Sequence, residues 1–277
     1  MSVNDKSRLA FNGWLIQLLL VPFLLSCSDK EDLKMDISKK RIIAQVNHKN
    51  SGYIGGVDSW RGFLSCWLHH PVFSSPDKPP SAISGQIRPV DADGKDIARK
   101  IAAAEKRLGV TLPLSYREFV FAFAASEKNE ITNGENGVGL LPLDKIGFMR
   151  DLMPLDVKLA LEHSSNSVDA DYLRYGIGQD EATLRSTYVA NGILIGTYGW
   201  DSYETIVIYP QLVTEDGEME AALGLHAGQF RTPSFAELMR QLSYLELAED
   251  ESMPPYSQKQ LLGTCADRLL LKNVWWK

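Results

Sequence analysis

Catalysis needs a nucleophile beside a base, a pair of carboxylates or a metal shell, and the side chains able to supply them are sparse in this chain. The five histidines, His48, His69, His70, His163 and His226, sit in distant segments. His69 and His70 are adjacent, and neighbours on an extended strand point to opposite sides, so the pair reads as surface rather than as a metal site. Glu218 and Glu220 are two apart, share one face of a strand, and have the residue types of a glycosidase pair. Two like charges beside the turn Glu215-Asp216-Gly217-Glu218 read instead as a solvated edge. No G-x-S-x-G, phosphate loop, H-E-x-x-H or C-x-x-C occurs. The expectation is therefore a protein that is not an enzyme and uses neither cofactor nor metal.

What remains is a surface that can hold another protein. Trp200-Asp201-Ser202-Tyr203-Glu204 puts an indole, a phenol and two carboxylates within five residues, a mixture that makes interface hot spots against a basic partner. Its other reading is a hairpin tip whose Trp200 folds back on the sheet. The acidic turn carrying Asp216, Glu218 and Glu220 is the second candidate contact. The 29 basic against 35 acidic residues of the 277-residue chain give a net charge of −6, the wrong sign for holding nucleic acid along an extended basic surface. A protein partner is expected to be basic on the contacting face.

The compartment is written at the N-terminus. Lys6 and Arg8 precede an apolar run from Trp14 to Leu25 that stops at Ser26-Cys27 before a polar stretch, the layout of a signal peptide over residues 1–26. As a helix that run rises only about 18 Å, short of a bilayer core of roughly 30 Å. Leu24-Leu25-Ser26-Cys27 resembles the bacterial lipobox, with a larger residue at Leu25 than is usual there. The resemblance implies lipid attachment at Cys27, and Ser28 after it implies outer-membrane sorting, so the chain is expected to face the periplasm from a lipid anchor. In an oxidising space Cys66 and Cys265 are the remaining cysteines, either bridged to each other or buried as two thiols.

The elements that must position these groups follow from periodicity. Residues 27–95 read as a tether and a small β-rich region, with a strand over 41–47 and a linker at Ser74–Ser81. Ile97, Ile101, Ala104 and Leu108 followed by Gly109 predict a helix over 96–108. Ser115 and Glu118 have the spacing of a capping box that opens a second helix, and a third occupies parts of 144–163. Asn133–Gly137 reads as a turn and Val138–Leu143 as a strand. Gly192–Tyr198 and Glu204–Tyr209 form a hairpin, Met219–Leu225 returns as a strand, and Ser234 with Glu237 caps a closing helix bearing Phe235, Leu238, Leu242 and Leu245. Helices on both sides of an antiparallel sheet make the class α+β.

Leu108-Gly109-Val110-Thr111-Leu112-Pro113, Tyr116-Arg117-Glu118-Phe119, Ile195-Gly196, Tyr209-Pro210, Asp216–Ala221 and Ser234–Leu238 together resemble the SUKH superfamily in the order of its motifs. That group includes fungal cell-wall synthesis regulators and bacterial toxin-immunity proteins, and Met219 stands where close relatives would carry a larger aromatic. The resemblance covers 96–246, leaving 247–277 as a C-terminal helical extension. It implies an immunity protein that neutralises a cognate antibacterial toxin by occlusion, here in the periplasm. The alternative is a structural or regulatory lipoprotein of the envelope with no toxin partner.

Overall fold

A computed structural model of the chain describes residues 50–69, 83, 85–91, 93–125, 138–163, 168–199, 204–225, 228–247, 265–269 and 271. The signal peptide with Cys27, the strand expected over 41–47, the linker at 74–81, the turn at 133–137, and Trp200, Asp201 and Tyr203 lie outside them.

Helix α2 (Gly94–Leu108) forms where the sequence places it, with Ile97, Ile101, Ala104 and Leu108 buried on one stripe. Asp93 caps its start by accepting from Lys95 N–H, and Gly109 ends it at φ 66°, a left-handed conformation that a side chain would resist. Helix α3 (Leu114–Ala122) follows and runs into strand β2 (Phe123–Ala125), which pairs with β1 (Gly85–Ile87). Further on, Pro154 does not break the third helical region. It stands at the first position of α5 (Pro154–His163), after the short α4 (Met149–Leu152), where its missing N–H costs nothing.

The main sheet is antiparallel. Strands β3 (Val138–Leu140) and β4 (Gly147–Phe148) both pair with β5 (Ile193–Tyr198), and the order continues through β6 (Glu204–Val213), β7 (Met219–Leu225) and β8 (Gly228–Thr232). The β5–β6 hairpin is present, with Tyr198 opposite Glu204. At the irregularity between Leu194 and Gly196 the backbone of β3 comes so close that a Cβ on Gly196 would stand 2.4 Å from the carbonyl oxygen of Gly139. The β8 edge is blunted: the Gln179 amide donates to Arg231 O and accepts from Arg231 N–H, as a neighbouring strand would.

The region before Asp96 departs from the β-rich tether expected there. Val57–Leu68 is a helix, α1, and its Trp60, Phe63, Leu64 and Trp67 are buried in the core. Trp60 meets Phe63 and Phe119 edge-on, with ring centroids 5.7 and 5.2 Å away, and lies 5.6 Å from Phe235 of the closing helix α8 (Phe235–Leu247). α1, α3 and α8 therefore share one aromatic centre. Such contacts stabilise by about 0.5–1.5 kcal/mol per pair beyond the area they bury. His69 closes α1 by donating its backbone N–H to Ser65 O, so it belongs to a helix end and not to the strand assumed above. A short 3-10 turn, Cys265–Leu269, packs against α1, and Cys66 and Cys265 are joined in a disulfide with a Cα separation of 5.4 Å. Of the two alternatives for these cysteines, the bridge is the one formed.

Candidate functional site

Two of the carboxylates offered by the sequence as surface contacts, Glu218 and Glu220, are turned inward. Asp216, at the exposed turn, accepts from Ser51 N–H at 3.1 Å and from Ser51 Oγ at 2.7 Å, which anchors the segment leading into α1. Glu218 is 1% exposed. Its carboxylate accepts from Ser115 N–H at 2.8 Å and from Ser115 Oγ at 2.5 Å. Ser115 lies in the first turn of α3, whose N–H groups lack intrahelical partners and carry the positive end of the helix dipole, so Glu218 caps that helix from 103 residues away. The capping box expected at Ser115 and Glu118 is accordingly absent. Pro113 is the N-cap with no side-chain bond, and Glu118 accepts from Tyr53 OH at 2.7 Å instead. At the closing helix half of the expected box forms: Glu237 N–H donates to Ser234 Oγ, while the Glu237 carboxylate holds Arg240 and Gln241.

Glu220 is likewise 1% exposed, which corrects the solvated edge expected for both residues. It stands opposite Tyr209 in the β6–β7 register, and Arg231 lies diagonally across on β8, opposite Ala222. Residues two apart on a strand share a face, so Tyr209, Glu220, Gln229 and Arg231 line one side of the sheet. That side is covered by short elements: α6 (Asp169–Tyr172), the 3-10 turn Gly176–Gly178 and α7 (Ser186–Asn191). Tyr172 OH and Tyr175 OH donate to the two Glu220 oxygens at 2.8 and 2.6 Å. Tyr209 OH donates to Gln229 Oε1, and Gln229 Nε2 donates to Tyr172 OH. The Arg231 guanidinium is fully buried 4.1 Å above the Tyr172 ring, and none of its nitrogens has a hydrogen-bond partner among the described residues.

Burial raises the Glu220 carboxyl, opposed by Arg231 and by the two phenol donors, and burial beside Glu220 pushes Tyr172 and Tyr175 well up. Burial also dominates at Glu218, which is raised from 4.5 to about 7 despite its Ser115 hydrogen bonds, with Asp216 and Glu118 adding repulsion. The sheet thus holds two carboxylates in separate structural networks, one capping a helix and one facing an arginine, rather than a pair across an open cleft.

The Glu218 site gives a testable pH dependence. Its carboxyl is protonated, folded or unfolded, below about pH 4.5 and ionised in both states above about pH 7, so stability is fully present on the acid side and is lost as pH rises through that window. The loss is of order 3 kcal/mol. Glu218→Gln retains an acceptor for Ser115 N–H and a donor for Ser115 Oγ but cannot ionise. Thermal melting near pH 5 and near pH 7.5 should show wild type losing roughly 5–10 °C more than the variant between the two conditions. Equal losses would remove Glu218 as the titrating group.

Of the candidate contacts, Glu204 is placed at the start of β6, half-buried, and Asp216, Glu218 and Glu220 are drawn into the networks above. The aromatic residues and Arg231 around Glu220 escaped the sequence reading. The signal for them was an arginine and a glutamine alternating along Gly228–Thr232 beside a strand that carries a glutamate near its start. No helix among the described residues is long and apolar enough to cross a membrane. In comparison with known proteins, the chain matches no family model, no curated protein and no solved structure.

Proposed function

We propose that this chain is an exported, lipid-anchored binding protein of the SUKH type that neutralises a cognate antibacterial toxin in the periplasm by covering it. The observation that carries the reading is the order of the elements. Helices α2 and α3, the antiparallel run β5–β6–β7 and the closing helix α8 stand on the stretches whose motifs resemble that superfamily. The Cys66–Cys265 bridge supports export, because disulfides persist in oxidising compartments and are rare in the cytosol. With Glu218 and Glu220 internal, the contact falls to the β5–β6 connection and its flank, Trp200, Asp201, Tyr203 and Glu204.

Cells lacking the protein should be killed by sister cells that carry the cognate toxin, and an exported copy should rescue them while a copy confined to the cytoplasm should not. Fatty-acid labelling should mark the exported copy and be lost in Cys27→Ser. Trp200→Ala with charge reversal at Asp201 and Glu204 should weaken the complex by about 2 kcal/mol or more if these groups are buried against the toxin. Full protection by that triple variant at low expression would move the interface elsewhere, and equal rescue by the cytoplasmic copy would overturn the periplasmic assignment.

A further inference from the structure

Lys100, Ala103, Ala104 and Arg107 lie on one stripe of α2, at the spacing i, i+3, i+4 and i+7. Where the two alanines stand, a cavity of about 510 Å³ opens between α2, the α3–β2 segment and the chain after β3. Phe119, Phe123 and Leu140 make an apolar floor, all buried. Arg88, Lys100 and Arg107 surround it against the single carboxylate of Asp144, a positive patch on a chain whose overall charge is −6.

These cations differ in what they already hold. Arg107 donates to the carbonyls of Ile146 and Leu143 and so fixes the wall. Lys100 pairs with Asp96 on the exposed side of α2. Arg88 has a buried Nε with no hydrogen-bond partner among the described residues. The neighbouring Tyr116 is 2% exposed and lines the same cavity. A guanidinium with an unused Nε donor, beside a phenol and above an aromatic floor, is arranged for an acceptor that arrives attached to something apolar.

We propose that this cavity binds a small amphipathic carboxylate, its head against Arg88 and Tyr116 and its tail on Phe119 and Phe123. The volume lies within the roughly 300–1,000 Å³ of small-molecule sites, and the lining has their composition, mostly apolar with a few convergent polar groups. The charge selects an anion over a cation. The assignment does not depend on the toxin reading.

Dodecanoate titrated calorimetrically into the purified protein should bind saturably, while dodecyltrimethylammonium, with the same tail and opposite charge, should bind at least about tenfold more weakly. Arg88→Ala should weaken dodecanoate by about tenfold or more, Arg88→Lys should restore part of that loss, and Tyr116→Phe should weaken it by roughly fivefold. Ala103→Phe, placed on the half-open α2 wall to fill the cavity without touching a charge, should abolish binding. Lys158→Ala, on α5, should leave it unchanged, and thermal melting confirms that each variant is folded. Equal affinity for the two amphiphiles, Arg88→Ala at wild-type affinity, or no saturable dodecanoate binding would overturn the proposal. So would tighter, Arg88-dependent binding of an acidic peptide ending in phenylalanine, which would give the cavity to a partner chain.

Discussion

Replacing both Cys66 and Cys265 by serine is expected to destabilise the protein by about 5 kcal/mol, the chain-entropy value for a cross-link that closes a loop of about two hundred residues. The effect is large because the bridge spans 199 positions and ties together two pieces of chain that come late and early in the sequence. α1 enters the core through Trp60 and Trp67, while the Cys265–Leu269 turn contributes Cys265 and Leu269, both fully buried. Tyr53 and Leu271 add an antiparallel bridge beside them. Among the described residues the turn also packs on α1 and α8, so the bridge acts mainly by restricting the unfolded chain, and domains as a class have a total stability of about 5–15 kcal/mol. Denaturant unfolding of the double serine variant, and of wild type with and without reductant, should give the same loss in both comparisons. A loss below about 1 kcal/mol would mean that native packing or unfolded-state structure already holds the two ends together.

Why α1 escaped the sequence reading is instructive beside the elements that did not. α2 was legible because Ile97, Ile101, Ala104 and Leu108 repeat at helical spacing and Gly109 stops them. Trp60, Phe63, Leu64 and Trp67 keep the same spacing, but Gly52, Gly55, Gly56 and Gly62 around them read as β punctuation. The packing of three aromatic-bearing helices outweighs the cost of one glycine within α1, and that packing is visible only once α3 and α8 are placed. The capping spacing at Ser115 and Glu118 failed for a related reason. Local patterns describe bonds a helix end can make with its own residues, whereas Glu218 and Tyr53 reach these groups from distant segments. At Glu218 and Glu220, alternation fixes which residues share a face and leaves open whether that face is covered. The covering elements between 168 and 191 are too short to announce themselves by periodicity.

The pair formed by Glu220 and Arg231 should show strong coupling in a double-mutant cycle. Arg231 is a fully buried cation whose guanidinium has no hydrogen-bond partner among the described residues, so its compensation comes from the Glu220 charge and from the Tyr172 ring 4.1 Å below it. Glu220→Gln can still accept a phenol hydrogen bond but leaves the cation alone in a medium where an unmatched charge costs about 3–5 kcal/mol. Arg231→Met fills similar space, removes the cation and leaves a carboxylate that burial already pushes toward protonation, so it should cost less than the glutamine variant. With both replaced, neither charge remains to be desolvated, and the double variant should be more stable than Glu220→Gln alone, with a coupling of about 2 kcal/mol or more. The reading is chemical denaturation of the four proteins at one pH near neutrality. Additive losses would show that the two charges do not sense each other across the β7–β8 register, and that Arg231 is held by the aromatic face alone.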